Sequence, residues 1–240
     1  MVRVAPLLAL FPLLAGCCCC GGGTPETPQE AALRREREQQ EVEALRAGLL
    51  ATAASPPSTT GLVERACPDT EIEQKSWSAR KLLTVDRDYL VRWTDPEFET
   101  AEDADADWAW LRSEALQQVS KGADKLDPSD LHGDRERTYL AVFHSTDKAR
   151  PRIDGSGAYT PGHFDGWLIV VDLLTTEAIC QVQFSAGSSP RITEQATGEG
   201  TIRERQEAVD EDFQEVFGDQ ATAALERISS HLEVSLDWTN

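Results

Sequence analysis

Three strand-like runs near the middle of the chain constrain the fold most strongly. Residues 137–144 and 167–171 are almost continuously apolar, which is typical of strands that are covered on both faces. Residues 178–184 instead alternate between apolar residues and glutamines, which indicates a half-exposed strand. Only the short polar link 172–177 separates the last two runs. An antiparallel hairpin is therefore the firmest tertiary prediction from this sequence.

Further strands are predicted on both sides of this hairpin. Apolar residues alternate along 83–93, which predicts a strand with a turn near 86–88. Val234, Leu236 and Trp238 alternate again and predict an edge strand near the C-terminus. The sheet should therefore contain about four to five strands.

Helices should flank this sheet. An apolar stripe predicts a helix over 107–119, and a second stripe predicts one over 202–217. Gly218 then suits a C-cap, and Asp219 suits the N-cap of a third helix that extends to residue 232. The predicted fold class is α+β, with an antiparallel sheet flanked by helices.

The N-terminus carries an export signal. Arg3 precedes an apolar segment, 4–14, whose length is within the roughly 7 to 15 residues of a signal peptide. The segment is too short for the roughly 20 residues of a membrane-spanning helix, and two prolines interrupt it. It closes on Leu14-Ala15-Gly16-Cys17, which resembles a bacterial lipobox.

The resemblance to bacterial lipoproteins implies a mature N-terminus and an anchor. Residues 1–16 would be removed, and Cys17 would carry a diacylglyceryl group and an N-acyl chain such as palmitate. Two such lipid signals are enough for stable anchoring in a bilayer. In the enterobacterial lipoproteins that this segment resembles, an aspartate after the lipidated cysteine retains the protein at the inner membrane, whereas other bacteria sort differently. Here that residue is Cys18. The resemblance therefore favours the outer membrane, with the domain in the periplasm or at the cell surface.

Residues 17–61 read as a leash and a helix before a single α+β domain over 62–240. Residues 21–28 are small, polar and interrupted by proline, as in flexible linkers. A helix is predicted over 29–50, but the heptad 34–41 contains no apolar residue, which excludes a coiled-coil stalk. Only Val42, Leu45 and Leu49 form a short stripe, so we expect a solvated or weakly docked helix.

The net charge of the chain limits the classes of partner that it can bind. The chain has 23 basic and 42 acidic residues, a formal net charge of −19, and loss of Arg3 with the signal peptide makes the mature charge −20. Such a field repels nucleic acids, which need clustered Lys and Arg, so no nucleic-acid partner is expected. The expected partners are the lipid bilayer, through acylated Cys17, and an envelope protein.

Cys67 and Cys180 are the two cysteines of the predicted domain. In an oxidising envelope compartment a lone pair of this kind usually forms a disulfide. Two buried free thiols are the alternative, and metal ligation ranks third because neither cysteine has a neighbouring ligand at metal spacing.

Patterns that support catalysis or metal binding are weak. Asp103, Asp105 and Asp107, with Glu114 at the twelfth position, resemble a calcium loop, but Trp108 occupies the position where the sharp turn needs glycine. An acidic helix entry explains these carboxylates better. Four histidines lack motif spacing. A zinc or hydrolase site would require His132, His144, His163 and Asp165 to converge in space.

A loop of about twenty residues between the strands that end near His144 and begin near Trp167 is the speculative ligand site. Its candidate residues are Tyr159, His163, Phe164 and Trp167, and an exposed aromatic patch there would favour binding. A long excursion packed over the sheet is the alternative.

The sequence predicts an envelope lipoprotein with a non-catalytic structural or binding domain, without cofactor, catalytic residues or metal site. The alternative is an envelope hydrolase or metal-dependent enzyme that uses the scattered histidines and acidic residues. Convergence of His144, His163 and a carboxylate within about 10 Å would favour the enzyme.

Overall fold

The computed structural model describes residues 27–68, 82–93, 106–112, 139–189 and 198–229, with the single residues 116, 131, 192 and 196. The expectations for the signal peptide, Cys17, the leash before residue 27 and the strand at 234–238 lie outside this part. The elements, in chain order, are α1 (Pro28–Ala54), β1 (Leu83–Asp86), α2 (Arg87–Arg92), a 3₁₀ turn (Ala106–Leu111), β2 (Tyr139–Ala149), β3 (Arg152–Ile153), β4 (Tyr159–Thr160), β5 (His163–Asp172), β6 (Glu177–Gly187) and α3 (Ile202–Ile228).

The main sheet has four strands in the order β1-β2-β5-β6, and the α+β class is confirmed. The predicted hairpin is present as the antiparallel pair β5 and β6, with Val170 opposite Cys180. Strands β2 and β5 are also antiparallel. The sheet is not wholly antiparallel, because β1 runs parallel to β2. A parallel neighbour needs a long crossover, and more than fifty residues separate these two strands.

Both faces of the sheet are covered, as the continuous apolar runs predict. One face packs against α3, and four phenylalanines meet there with ring centroids 5.0 to 6.5 Å apart: Phe143, Phe164, Phe184 and Phe217. The opposite face packs against α1 and α2 through residues such as Val142, Ile169 and Val171. This three-layer arrangement removes apolar area from water on both sides of the central strands.

The strand predicted over 83–93 is correct only in its first half. Asp86 ends β1, and its Oδ1 accepts the backbone N–H of Tyr89 at 2.8 Å, which caps α2. Tyr89 and Trp93 are buried at helical spacing, whereas Val91 is exposed. Tyr89 and Trp93 fit both the two-residue period of a strand and the period of nearly four residues of a helix. The Asp86 cap favours the helix.

The predicted break at Gly218 is absent, because α3 continues from Ile202 to Ile228. Its buried positions Phe213, Phe217, Ala221 and Leu225 repeat every four residues, so one face of a single helix stays in the core. A glycine inside a helix costs only about 1 kcal/mol relative to alanine, which this burial exceeds. Thr201 and Glu204 form a capping box that starts the helix.

Helix α1 has two different halves. Its first half is exposed, as predicted, and starts at a capping box between Thr27 and Glu30. The predicted stripe Val42, Leu45 and Leu49 is buried against the sheet. The second half of α1 therefore belongs to the packed core, although the sequence analysis placed it in segment 17–61, before the domain.

The helix predicted over 107–119 begins as a 3₁₀ turn, Ala106–Leu111, and Leu116 further along is helical. Trp108 and Leu111 are buried on the α3 face, as the stripe predicts. Trp108 contacts Phe164 and Phe213 with ring centroids 5.8 and 6.0 Å apart. Residues 103, 105, 114, 115 and 119 lie outside the described residues, so the calcium-loop pattern receives no structural description.

Cys67 and Cys180 form a disulfide, the pair that the sequence singled out. The segment that carries Cys67 runs along the outer edge of β6, where Arg65 and Gln181 exchange backbone hydrogen bonds of 2.9 and 3.1 Å. The Cys67 N–H also donates to Ile228 O at 2.9 Å. The disulfide therefore joins an N-terminal segment to the sheet beside the end of α3.

Candidate functional site

The predicted twenty-residue loop is mostly strand. Strand β2 continues to Ala149 and β5 begins at His163, so the connection spans only residues 150–162 and contains the small β3–β4 hairpin. The expected length was wrong because the charged residues beyond His144 interrupt the apolar run without ending the strand.

The connection is packed over α3. Ile153 N–H donates to Gln206 Oε1 at 2.8 Å, and Gln206 Nε2 donates to Pro151 O at 2.9 Å. An ion pair of 2.9 Å joins Arg150 to Asp210 of α3. At the tip, the Asp154 carboxylate accepts the backbone N–H groups of Ser156 and Ala158, and these hydrogen bonds together with the Ser156 hydroxyl lower its pKa. The packed-excursion alternative therefore describes this segment.

The predicted aromatic patch does not form. Phe164 is buried against α3, while Trp167 lies half-buried on the α1 face. Three positions separate them along one strand, and strand side chains alternate between faces. Tyr159 packs in a third small cluster with Ile153, Ile192 and Val209. The assignment of Tyr159, Phe164 and Trp167 to one exposed ligand site was therefore wrong.

The enzyme alternative requires His144 and His163 to converge, and the structure keeps them apart. His144 lies opposite Trp167, whereas His163 lies opposite Ala149. The four residues of β5 from Trp167 to His163 span about 13 Å, since a strand rises about 3.3 Å per residue. Burial and the neighbouring Arg87 lower the pKa of His144, which favours its neutral form. His132 and His231 lie outside the described residues.

The structure instead brings His163 together with two carboxylates, one of which the sequence analysis missed. Asp147, His163 and Asp165 each offer one ligand atom, and these three atoms lie within 4.8 Å of one another. His163 Nε2 is 3.1 Å from Asp147 Oδ2. The contact lacks hydrogen-bond geometry, and Nε2 is shielded from solvent without a hydrogen-bond partner. We refer to Asp147, His163 and Asp165 as the hairpin-end cluster.

A β-bulge creates this cluster. Ser145 lies opposite Gly166, but Asp147 rather than Thr146 lies opposite Asp165. If the register continued regularly from Ser145, Thr146 would lie opposite Asp165, and Asp147 would lie opposite Phe164, on the other face of the sheet from His163. Thr146 holds the bulge, because its hydroxyl donates to Asp165 O at 3.0 Å. Bulges of this kind often re-aim side chains beside functional sites.

Gly166 supports the same geometry. A Cβ at this position would collide with the backbone carbonyl of His144 and approach Ser145 Cα to 3.0 Å. Only glycine allows β2 and β5 to approach so closely beside the bulge. No short sequence motif marks the bulge, so Asp147 could not have been assigned to the cluster from spacing alone.

A groove of about 450 Å³ runs beside the edge strand β6. Glu64 and Arg227 in its wall form an ion pair of 3.6 Å, and Arg227 also donates to Gln183 O at 2.8 Å. These two charges are satisfied within the chain. Asp165 also lines the groove, so the groove and the hairpin-end cluster share this carboxylate. The groove is a weaker candidate than the hairpin-end cluster.

A second polar group is buried under α2. Asp86 and Arg112 are both almost inaccessible, with Arg112 Nε 3.8 Å from Asp86 Oδ2 and the guanidinium 4.1 Å from the Tyr89 ring centroid. Burial raises the pKa of Asp86, and the Tyr89 N–H and the Arg112 charge oppose that rise. Tyr89 Oη donates to Leu116 O at 3.2 Å. Its burial in the core gives this group a stabilising role.

Comparison with known proteins finds no matching family model, curated protein or solved structure. Among the residues that the structure describes, none of the helices combines the length and apolar character of a membrane span.

Proposed function

We propose that this chain is an envelope lipoprotein, anchored through acylated Cys17, whose disulfide-bonded α+β domain serves as a non-catalytic structural or binding module. The Cys67–Cys180 disulfide is the structural observation that carries this proposal. Disulfides persist in exported compartments and are rare in the reducing cytosol. The disulfide thus supports export independently of the lipobox.

Three sequence features support anchoring. The lipobox Leu14-Ala15-Gly16-Cys17 supplies the acylation site, and the leash 21–28 supplies reach from a bilayer. The exposed first half of α1 adds a polar spacer before the packed core. Cys18 in place of aspartate favours the outer membrane through the resemblance. The strongly acidic domain suits exposure to water and an envelope partner with cationic groups.

The enzyme alternative loses its main support. It depended on His144 and His163 acting with a carboxylate, and these histidines are about 13 Å apart along the strand direction. The hairpin-end cluster holds one histidine with two carboxylates on an open surface, and Asp147 retains 74% of its side-chain exposure. A water-exposed cluster does not provide the desolvated environment that strengthens catalytic electrostatics.

The redox state of the two cysteines in living cells tests export. The full chain, expressed in a bacterial host and quenched with acid, should carry Cys67 and Cys180 as a disulfide that resists alkylation until it is reduced. A matched variant that begins with Met followed by Gly21 lacks the signal and should stay in the cytosol, where both thiols should alkylate. Mass spectrometry of the peptides that contain residues 67 and 180 distinguishes the disulfide from the alkylated thiols. Alkylated thiols in the full chain would contradict export.

A further inference from the structure

The hairpin-end cluster has the ligand chemistry of a transition-metal site. It offers one imidazole nitrogen, from His163, and carboxylate oxygens from Asp147 and Asp165. Three protein ligands of this mixed type suit Zn²⁺ and related divalent ions, with solvent in the remaining positions. Ca²⁺ and Mg²⁺ prefer sites made of oxygen alone. These three ligands therefore favour a transition-metal ion over Ca²⁺ or Mg²⁺.

The geometry of His163 points in the same direction. Its Nε2 lies within hydrogen-bond distance of Asp147 Oδ2 but is misaligned for such a bond, and it is shielded from solvent without a partner. Two donor atoms that face a common third point have this relation, whereas a hydrogen-bonded ion pair would be aligned. Ligand atoms about 2.1 Å from one tetrahedral zinc ion lie about 3.4 Å from each other, so the exposed carboxylates would rotate inward to close the 4.8 Å span.

The electrostatics of the hairpin also call for a cation. Asp147 and Asp165 are directly opposite each other across β2 and β5, an arrangement that is unfavourable for like charges. The bulge at Thr146 places them on one face, although without it Asp147 would lie far from the second carboxylate. Lys148, the lysine of β2, lies opposite Phe164 and contacts Asp88 at 3.1 Å and the Trp108 ring.

We propose that Asp147, His163 and Asp165 bind one divalent transition-metal ion of the Zn²⁺ type, which clamps β2 to β5 at the open end of the hairpin. The site adds a ligand to the proposed binding module and does not depend on the lipid anchor. Because a metal that binds only the folded chain stabilises it by mass action, Zn²⁺ should also raise the melting temperature.

The test titrates Zn²⁺ into the mature full chain by calorimetry. The chain is first reduced mildly and alkylated with iodoacetamide, so that the three cysteines after Cys17, which are Cys18, Cys19 and Cys20, cannot bind the metal. Wild type should bind one Zn²⁺ per chain at this site. His163→Ala should weaken that binding at least roughly tenfold, since even loss of an outer-shell partner costs 10- to 100-fold. Asp147→Asn should weaken it as well, and each variant should lose the Zn²⁺-dependent rise in melting temperature.

Two matched variants separate a site from general surface charge. Asp219→Asn removes one exposed carboxylate on α3, and His144→Ala removes a histidine that lies about 13 Å from His163 along the strand direction. Both should keep wild-type Zn²⁺ affinity. Binding that weakens equally in Asp219→Asn and His163→Ala, or that survives in His163→Ala, would overturn the proposal. Unchanged melting of all metal-free variants would show that folding is intact, because the substituted side chains of the cluster are exposed or half-exposed.

Discussion

Replacement of both Cys67 and Cys180 by alanine should lower the free energy of unfolding by about 4 to 5 kcal/mol, the largest single effect expected in this chain. The two cysteines are 113 residues apart in sequence, so the disulfide reduces the conformational entropy of a long loop in the unfolded chain. Without the bond, folding has to close this loop and lose that entropy. Urea unfolding followed by circular dichroism measures the difference.

Reduction provides the control for this prediction. Dithiothreitol should destabilise wild type to nearly the level of the Cys67→Ala/Cys180→Ala variant and should leave that variant unchanged. The local contacts around the bond, such as the Cys67 N–H to Ile228 O hydrogen bond, remain available in both. A reduced wild type as stable as the oxidised protein would show that the crosslink contributes little.

Arg112→Ala should lower the free energy of unfolding by about 3 to 5 kcal/mol, because it removes the guanidinium that lies 3.8 Å from the buried Asp86 carboxylate. It also removes the guanidinium from the Tyr89 ring and opens a cavity beside α2. Urea unfolding at neutral pH measures this loss.

Arg112→Met is the matched variant, because it keeps most of the volume and removes only the charge. Its loss should be smaller at neutral pH and should shrink further as the pH falls toward about 4, near the ordinary aspartate pKa. Burial already raises the pKa of Asp86 in the folded chain, and loss of the Arg112 charge raises it more. A raised carboxyl pKa favours folding at low pH and opposes it as the pH rises through that value. A loss that does not change with pH would contradict this account.

The strands of the hairpin could be predicted because their apolar pattern has one solution. Residues 167–171 are a short, continuously apolar run, residues 178–184 alternate with a strand period, and the short polar link leaves room only for a turn. Pairing of Cys67 with Cys180 followed from compartment chemistry. The exposed start of α1 followed from a heptad without apolar residues, and its buried stripe followed from Val42, Leu45 and Leu49.

The sequence predictions were wrong where one apolar pattern fits more than one secondary structure, or where a tertiary contact determines the local structure. Tyr89 and Trp93 fit both strand and helix periods, and the Asp86 cap selected the helix. Gly218 resembles a helix end, yet burial of the surrounding face carries α3 through it. The hairpin-end cluster depends on a single inserted residue, Thr146, which changes the face on which Asp147 lies. Sequence periodicity does not reveal such a bulge.

Acylation of Cys17 is the central claim, and intact mass spectrometry with detergent partitioning tests it most directly. Wild type from a bacterial host should begin at Cys17, carry the added mass of a diacylglyceryl group and an N-acyl chain, and enter the detergent phase. Cys17→Ala should remain an unprocessed, unlipidated precursor, whereas Cys18→Ala should be processed like wild type. A wild-type chain that is free of lipid and stays in the aqueous phase would contradict the account.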